Sequence, residues 1–475
     1  MVQQSEVHSI ATAAVSPAES TAVHARLRAG FERGALRGYV ERRAALKRLR
    51  RVVKQHERDL LDALQADLRK PEFESYTSEV GYVYQDIDHA LAHLREWMEP
   101  ERVDVGIALW PTRAEVRKEP KGVVLVLAPW NYPAQLALVP LIAAIAAGNC
   151  VCLKPAEDTP HTAVALARIV ADAFEDDVVA VVQGPGSEVV PVLMDAGRFD
   201  HVFYTGSTRV GRLLGERCGR ELIPCTLELG GKSPCVVFDD ADLAVAAQRI
   251  VWAKCFNAGQ TCVAPDYLLV QAGAYERLVV ALKQAIREAY GEDPQRSPDL
   301  ARIVNERQFE RLAKLLDDGH VVAGGKADAS ERYIAPTILT DVAPESPLLD
   351  EEIFGPILPV LRFDTWEEAR GIIARNPNPL AAYVFTGSRK RREQFLGGFA
   401  FGGGCVNDAV IHLGIPGLPF GGVQQSGIGA YHGDQGFATF SHRKAVAISS
   451  TRVNPPTRYA PYRPALMRVV RWLFG

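Results

Sequence analysis

Three short segments of the chain carry a cysteine, a carboxylate and an amide in settings that suit acyl-transfer chemistry. Cys262 ends a turn-forming run over residues 256–262. A thiolate attacks a carbonyl carbon to form a thioester, so a cysteine in such a loop is a candidate nucleophile. Taken alone, Cys262 fits a buried packing residue better than a nucleophile, and the other two segments change that interpretation.

Glu228 and Asn131 are the two partners that a thioester mechanism needs. Glu228 ends an apolar strand pattern beside two glycines, where burial would raise its pKa towards that of a general base. Asn131 stands in a proline-bracketed turn after another strand pattern, and its amide either closes an Asx-turn or donates to an oxyanion. No histidine lies in the three segments, so a cysteine–histidine hydrolase is not indicated.

Short apolar strand patterns that alternate with helical patterns must position these side chains. The strand patterns cover residues 123–127, 150–153, 178–182, 201–204, 234–238 and 267–270, and a helix pattern follows at 274–290. Such alternation requires parallel sheets with crossover helices. Because a second round begins near Gly230, we predict an α/β fold with two doubly wound parallel-sheet domains.

The most apolar stretch, residues 136–153, raises the question of a membrane span. Pro140 interrupts it, and Gly148 and Asn149 indicate a helix end before a short strand. We therefore predict a buried helix followed by a buried strand.

Composition limits the partners and the compartment. The 475 residues carry a net charge of -3, which argues against a nucleic-acid partner. The eight cysteines are sparse and lack the paired spacing of a metal site or a disulfide framework. With no secretory signal at the N-terminus, we expect a reducing, cytoplasmic location and no metal.

Five motifs give the chain a specific resemblance. In chain order they are Pro129-Trp-Asn-Tyr-Pro133, Phe203-Tyr-Thr-Gly-Ser-Thr208, Leu227-Glu-Leu-Gly-Gly-Lys232, Gly259-Gln-Thr-Cys262 and Glu351-Glu-Ile-Phe-Gly-Pro356. From about Val40 to about Val446 the chain resembles the aldehyde dehydrogenase superfamily. The segments Thr261-Cys-Val-Ala-Pro-Asp-Tyr267 and Leu418-Pro-Phe-Gly-Gly-Val423 are similar to its class 3 branch of fatty, aromatic and coniferyl aldehyde enzymes.

The resemblance implies NAD(P)-dependent oxidation of an aldehyde to a carboxylic acid. Cys262 would attack the aldehyde, Asn131 and the Cys262 backbone N–H would hold the oxyanion, and Glu228 would activate the hydrolytic water. The implied cofactor is NAD, with NADP also possible. Its implied ligands are Trp130, Lys154, Glu157, Gly206, Ser207, Gly211, Glu352 and Phe354.

Two features of the residues bear on this cofactor. The turn over residues 206–211 follows a strand pattern and opens a helix, which favours a pyrophosphate. Glu157 would repel a 2′-phosphate and favour NAD, whereas Lys154 would neutralise that phosphate.

The candidate substrate pocket is mostly apolar. Its predicted residues are Tyr132, Trp252, Asn407, Ile411 and His412. Trp252 and Ile411 equally fit an ordinary core. The pocket favours a medium- or long-chain aliphatic aldehyde or an aromatic one.

The resemblance also divides the chain. It implies a Rossmann-like NAD(P)-binding domain over residues 1–107 and 119–229 and a catalytic domain over 230–437. Residues 108–118 and 438–452 are the implied oligomerisation arm of a homodimer. Residues 453–475 form a basic tail, of which 463–475 have the pattern of an amphipathic helix that lies on an anionic membrane or docks on the partner subunit.

Three alternatives differ in chemistry. A coenzyme A-acylating dehydrogenase would not need a base such as Glu228. A semialdehyde is an alternative substrate. A non-catalytic binding or structural descendant would be expected to have lost Cys262, Glu228 or Asn131, and all three are present.

Overall fold

The computed structural model describes residues 15–454 and 456–474. The predicted lack of a secretory signal concerns residues that lie largely outside this range. The helices are α1 (Pro17–Glu32), α2 (Tyr39–Gln55), α3 (Glu57–Leu68), α4 (Glu72–Ser75), α5 (Gly81–Met98), α6 (Gln135–Ala147), α7 (Pro160–Ala173), α8 (Gly186–Ala196), α9 (Thr208–Glu221), α10 (Leu243–Cys255), α11 (Tyr275–Tyr290), α12 (Glu306–Lys314), α13 (Pro347–Asp350), α14 (Trp366–Ile373), α15 (Arg389–Leu396), α16 (Gly433–Thr439) and α17 (Met467–Phe474). The strands are β1 (Glu101–Val103), β2 (Arg113–Pro120), β3 (Val123–Leu127), β4 (Cys150–Lys154), β5 (Val179–Val181), β6 (His201–Gly206), β7 (Cys225–Leu229), β8 (Pro234–Val237), β9 (Tyr267–Gln271), β10 (His320–Ala323), β11 (Ala327–Asp328), β12 (Tyr333–Ile334), β13 (Thr337–Thr340), β14 (Ile357–Phe363), β15 (Ala381–Phe385), β16 (Gly403–Val406), β17 (Gly427–Ile428) and β18 (Ser441–Ile448).

Two large sheets form the frame of the molecule, as the alternating pattern predicts. The first has the order β17-β7-β6-β3-β4-β5, and the second has the order β10-β13-β14-β9-β8-β15-β16. In each sheet all neighbours are parallel except for one edge strand, β17 or β10. Two doubly wound parallel sheets are therefore confirmed.

The buried apolar stretch is a helix and a strand, as predicted. Every residue of α6 is buried, and β4 begins three residues after that helix ends. Pro140 lies inside α6 and does not end it, because the proline sits in the second turn, where it removes a single N–H donor. No helix in the described ranges combines the length and the apolarity needed to cross a bilayer.

The third sheet, β1-β2-β18, forms an arm beside the two large sheets. Its hairpin runs from Glu101 to Pro120, wider than the predicted 108–118, because β1 pairs with β2 and residues Ile107–Leu109 form a helical turn between them. β18 pairs with β2 along its full length.

One short strand crosses the predicted domain boundary. β17 lies within the range predicted for the catalytic domain, yet Gly427 pairs with Glu228 at the edge of the first sheet. A side chain at Gly427 would collide with the backbone carbonyl of Leu227, so this close approach requires a glycine.

Candidate active site

A cavity of about 660 Å³ is lined by loops of both large sheets. It receives the residues that follow the carboxyl ends of β3, β6 and β7, where ligands of open α/β sheets bind. Among the predicted site residues, those that line it are Trp130, Asn131, Tyr132, Gly206, Ser207, Glu228, Trp252, Cys262, Glu352, Phe354 and Ile411.

The loop before Cys262 is tightly folded. Asn257, Ala258 and Gly259 follow α10 with φ values of 53°, 52° and 74°. Left-handed backbone costs about 1–2 kcal/mol for a residue other than glycine, so surrounding contacts must hold this loop. The Gln260 side chain provides two of them, because it accepts from Val304 N (2.9 Å) and donates to Arg302 O (3.0 Å).

Asn131 is tied directly to this loop. The side-chain nitrogen of Asn131 donates to Gln260 O (3.1 Å). The backbone carbonyl oxygen of Asn131 accepts from the Asn257 side chain (2.7 Å). A side-chain amide has two N–H donors, so one remains available towards the cavity. Asn131 and Cys262 therefore face one cavity from loops that are bonded to each other.

The Cys262 thiol is neutral at physiological pH in this arrangement. Burial raises the pKa of the thiol to about 12, and the nearby carboxyls of Glu352 and Glu228 add to the shift. The thiolate is the nucleophilic form of cysteine, so a step that removes the proton must precede attack.

This raised pKa predicts how the ligand-free protein reacts with iodoacetamide. Because only the thiolate is alkylated, the rate at Cys262 should rise about tenfold per pH unit between pH 7 and 10, without a plateau. Peptide mapping by mass spectrometry isolates this site from the other cysteines. A rate that levels off below pH 8 would contradict the raised pKa.

Glu228 is an unpaired buried carboxyl group. The residue is 2% exposed, and neither carboxylate oxygen has a hydrogen-bond partner. Burial raises the pKa of the Glu228 carboxyl well above its ordinary value. A buried carboxyl group without a hydrogen-bond partner lowers the stability of the fold. A role in proton transfer accounts for its presence in the cavity wall.

A buried ion pair anchors the loop that carries Glu352 and Phe354. Lys232 pairs with Asp266 and donates to the carbonyl oxygens of Leu348 (2.6 Å) and Glu351 (2.8 Å). The Asp266 carboxylate also accepts from Ile353 N (3.1 Å). The loop is thus fixed on both sides of Glu352.

Glu352 and Phe354 then face the first sheet across the cavity. The Phe354 ring meets the Trp130 ring edge-on, with centroids 5.2 Å apart. The Glu352 carboxylate lies so close to Gly230 that a side chain there would collide with it. Burial raises the pKa of Glu352 to about 8, and Asp266 adds to the shift.

The start of α9 is suited to an anionic group. Ser207 is the N-cap of α9, and its hydroxyl oxygen accepts from Val210 N (3.4 Å), which leaves the hydroxyl hydrogen free to donate. Ser207 and Gly206 both line the cavity, where the helix N-terminus favours a phosphate. Gly211 does not line it; a side chain there would collide with Leu229, so this glycine permits close packing of α9 on the sheet.

Lys154 and Glu157 lie outside the cavity wall and pair with each other. Glu157 also accepts from Gly186 N (2.9 Å), at the start of α8. Lys154 ends β4 and Glu157 follows it, so both belong to the same edge of the first sheet as Gly206.

Asn407 and His412 are not part of the cavity wall either. The Asn407 side chain accepts from Thr386 N (2.8 Å) and donates to Thr386 O (3.0 Å), which fastens the end of β16 to β15. His412 contacts the Cys405 sulfur through Nδ1 at 3.5 Å, and burial lowers the pKa of His412 to about 4.

The cavity residues that sequence reasoning missed come from several separate parts of the chain. They are Phe73, Thr77, Ser78, Tyr82, Gln135, Leu136, Phe256, Gln308, Arg311, Leu380, Val410, Leu413, Gly414, Phe420, Tyr431 and His432. Phe73 lies in α4, which at 4 residues is too short to show a helical period, and its side chain is 78% exposed. An aromatic residue among charged neighbours was the one signal available.

The motif resemblance is upheld by comparison with known proteins. The model of the aldehyde dehydrogenase family matches residues 2–446. The chain belongs to this family. Such membership makes it an oxidoreductase that oxidises aldehydes.

Individual relatives show which branch of the family the chain resembles. The human protein named aldehyde dehydrogenase family 3 member B1 is 45% identical over 94% of this chain and 95% of its own. A Staphylococcus aureus protein named 4,4'-diaponeurosporen-aldehyde dehydrogenase is 43% identical over 89% of this chain and 92% of its own. The predicted similarity to the class 3 branch is confirmed.

One further relative and one solved structure bear on cofactor and fold. A Rattus norvegicus protein named aldehyde dehydrogenase, dimeric NADP-preferring, is 42% identical over 94% of this chain and 98% of its own. The substrate-bound state of Staphylococcus aureus AldH superposes with a TM-score of 0.93 at 40% identity, over 96% of this chain and 99% of that one. Enzymes of this family use NAD(P), and the two-sheet fold of this chain is the fold of the family.

Proposed function

We propose that the chain oxidises aldehydes through a thioester on Cys262, with Asn131 as oxyanion donor and Glu228 as general base. The observation that carries the proposal is Glu228, whose buried carboxyl group has no partner and lines the same cavity as the Cys262 thiol and the Asn131 amide. The base argues for hydrolysis of the thioester and against transfer to coenzyme A.

The two halves of the reaction use different residues. The Cys262 thiol first loses its proton to solvent, and the thiolate sulfur then bonds to the aldehyde carbon. The oxygen that becomes negative accepts from the Asn131 amide and the Cys262 backbone N–H. NAD(P), when bound, supplies the hydride acceptor. Glu228 then takes a proton from the water that attacks the thioester, which frees the acid and restores the thiol.

The residues at the cavity fit a dinucleotide. Ser207 and the α9 N-terminus would hold the pyrophosphate, and Glu352, Phe354 and Trp130 would hold the nicotinamide end. Lys154 and Glu157 would meet the adenosine ribose. Glu157 disfavours a 2′-phosphate, so we propose a preference for NAD, although the rat relative is named NADP-preferring.

The substrate we propose is a medium- or long-chain aliphatic or aromatic aldehyde. Apolar side chains dominate the wall of the cavity beyond Cys262; they are Phe73, Leu136, Trp252, Phe256, Ile411, Leu413 and Phe420. Among the described residues of the wall, Arg311 is the only permanent cation, and its guanidinium donates to Ile353 O (2.6 Å) and Gln308 (2.9 Å). Among the described residues of that wall, no further cation is present to bind the carboxylate of a semialdehyde.

A screen of aldehydes with each cofactor tests this substrate class. We expect kcat/KM to rise by roughly tenfold or more from propanal to decanal, because about 0.8 kcal/mol is gained per buried methylene. NADH or NADPH formation at 340 nm is the readout, and the higher rate is expected with NAD. A preference for succinic semialdehyde over decanal would contradict the proposal.

We propose a homodimer joined through the arm. In the order β1-β2-β18, the outer edge of β18 is unpaired along the strand within the described residues. An eight-residue free edge favours pairing with another chain. Light scattering should give twice the chain mass of 51.9 kDa.

The C-terminal tail is proposed to rest on an anionic membrane surface. In α17, Trp472 and Phe474 are 74% and 73% exposed, and Arg468 and Arg471 belong to the same helix. The helix packs against the turn Ile107–Leu109, where Ile107 is also exposed. Exposed aromatic and apolar side chains beside arginines suit the interface of an anionic bilayer.

Vesicle sedimentation with a truncated chain tests the tail. The full chain should sediment with vesicles that contain phosphatidylserine, and a chain that ends at residue 462 should stay in solution, because each basic residue near the surface contributes about 1 kcal/mol. The Trp472→Ala/Phe474→Ala variant should bind weakly, with unchanged oxidation of propanal. Truncation that leaves vesicle binding unchanged, or that halves the scattering mass, would favour the alternative of docking on the partner subunit.

A further inference from the structure

Lys70 and Glu79 form a fully buried ion pair behind the active site. Both side chains are 0% exposed, and Lys70 Nζ lies 2.8 Å from Glu79 Oε1. Burying two charges costs several kcal/mol per ion unless other contacts compensate. Such a pair calls for an explanation beyond ordinary packing.

Glu79 holds the segment that carries Asn131. Its second oxygen, Oε2, accepts from Ala134 N (2.8 Å) and Gln135 N (3.2 Å), where the turn after β3 enters α6. These are the backbone donors that a helix start leaves unpaired. The carboxylate therefore fixes the backbone three residues after the proposed oxyanion donor.

Lys70 contacts Tyr132, the residue that follows Asn131 in the chain. Its ammonium group lies 3.9 Å from the centre of the Tyr132 ring, within the range of a cation–π contact. The Tyr132 hydroxyl lies 2.6 Å from the Thr261 hydroxyl, beside Cys262 in the chain. The ion pair thus contacts the segment that carries Asn131 directly, and it contacts the loop that carries Cys262 through Tyr132.

A third charged residue in the same stretch contacts the cysteine loop from the other side. Glu74 Oε2 accepts from Asn257 N (2.9 Å), the first of the left-handed residues before Cys262. The backbone forms a single π-helical turn over Tyr76–Val80, which contains Glu79, and such turns are frequent at functional sites. This turn lets one short segment present the carboxylates of Glu74 and Glu79 to both loops.

We infer that Lys70 and Glu79 are positioning residues, which aim the Asn131 amide at the oxyanion by fixing residues 132–135. The inference rests on the proposed function, because it assigns Asn131 its role. Neither side chain lines the cavity, so neither touches the substrate. A misplacement of about 1 Å in such a donor is enough to slow a reaction 10²-fold.

The test is a double-mutant cycle between Glu79→Gln and Asn131→Ala. Glutamine keeps the size of Glu79 but loses the charge that pairs with Lys70. We expect Glu79→Gln to lower kcat for decanal oxidation about 10- to 100-fold, with KM for decanal and cofactor changed less than about threefold. In the Asn131→Ala background the same change should cost almost nothing further, because the donor it aims is gone.

Asp67→Asn is the matched control. Asp67 is also a buried carboxylate that accepts from backbone N–H groups at a helix start, here Thr162 N (2.8 Å) in α7, which contributes no residue to the cavity. Its replacement should lower the unfolding temperature and leave kcat within about twofold. Equal losses of kcat in Asp67→Asn and Glu79→Gln would overturn the inference.

The outcomes separate this inference from the proposed function. If Asn131→Ala leaves kcat unchanged, the proposed oxyanion role fails. If Asn131→Ala lowers kcat and Glu79→Gln adds its full loss on top, or has no effect alone, only the positioning inference fails. Should Glu79→Gln not fold, the charge-free pair Lys70→Met/Glu79→Gln takes its place in the cycle, and a failure of both to fold overturns the inference, because the pair then serves folding itself.

Discussion

Replacing Cys262 by alanine is expected to lower aldehyde-dependent NAD(P)H formation by about 10⁴-fold or more, since losing a catalytic nucleophile removes the covalent route altogether. The thiol lines the cavity and is only partly buried, so the alanine variant should fold and keep its cofactor affinity. Initial rates at saturating decanal and NAD measure the loss.

Cys255 provides the matched control for this replacement. It ends α10, is 3% exposed and does not line the cavity. Cys255→Ala should lower the unfolding temperature and leave kcat within a few-fold. Full activity of Cys262→Ala, or equal losses in the two variants, would show that the thioester mechanism is wrong.

Replacing Glu228 by glutamine should separate the two halves of the reaction. Glutamine has the same shape but cannot take a proton from water, so steady-state kcat should fall about 10²- to 10⁴-fold. The first half does not need the base, so a burst of one NAD(P)H per active site should remain. Stopped-flow absorbance at 340 nm resolves the burst from the slow phase.

The same replacement should not destabilise the fold. Burial raises the pKa of Glu228, so its charged form opposes folding, and the carboxylate oxygens accept no hydrogen bond that glutamine would lose. The unfolding temperature at pH 8 should therefore stay equal or rise.

Asp86→Asn is the control for a buried acid outside the cavity. Burial raises the pKa of Asp86 to about 7, and its replacement should leave both the burst and the steady rate unchanged. Loss of the burst in Glu228→Gln would contradict the assigned role of Glu228.

Much of the fold could be predicted because its strands are buried on both faces. Such strands appear as continuous apolar runs, and β3 and β4 lie where those runs predict them. The short β17 could not be predicted, since two residues carry no periodicity and its position depends on a glycine at a close backbone contact. The limits of the arm were missed for a related reason: strand ends depend on pairing between distant residues.

The site was predictable where the chemistry is local to a motif. Asn131 and Cys262 lie in turns and Glu228 lies near the end of β7, and all three line one cavity. The supporting residue Lys70 lies between two helices, and Glu74 and Glu79 lie in a short helix and the π-helical turn after it. No sequence motif marks them, and only tertiary packing brings their charges to the loops. Asn407 and His412 were predicted in the pocket because they lie near a motif in sequence. Their side chains are nevertheless not part of the cavity wall.

The central claim is that an acyl group is carried on the sulfur of Cys262, and trapping that group tests it most directly. Glu228→Gln enzyme is mixed with NAD and decanal, quenched in acid after the burst, and mapped by peptide mass spectrometry. The account predicts a decanoyl group on the peptide that contains Cys262, in the same amount as the NADH formed. NADH formation with no acyl group on that peptide, or with the group on another residue, would contradict it.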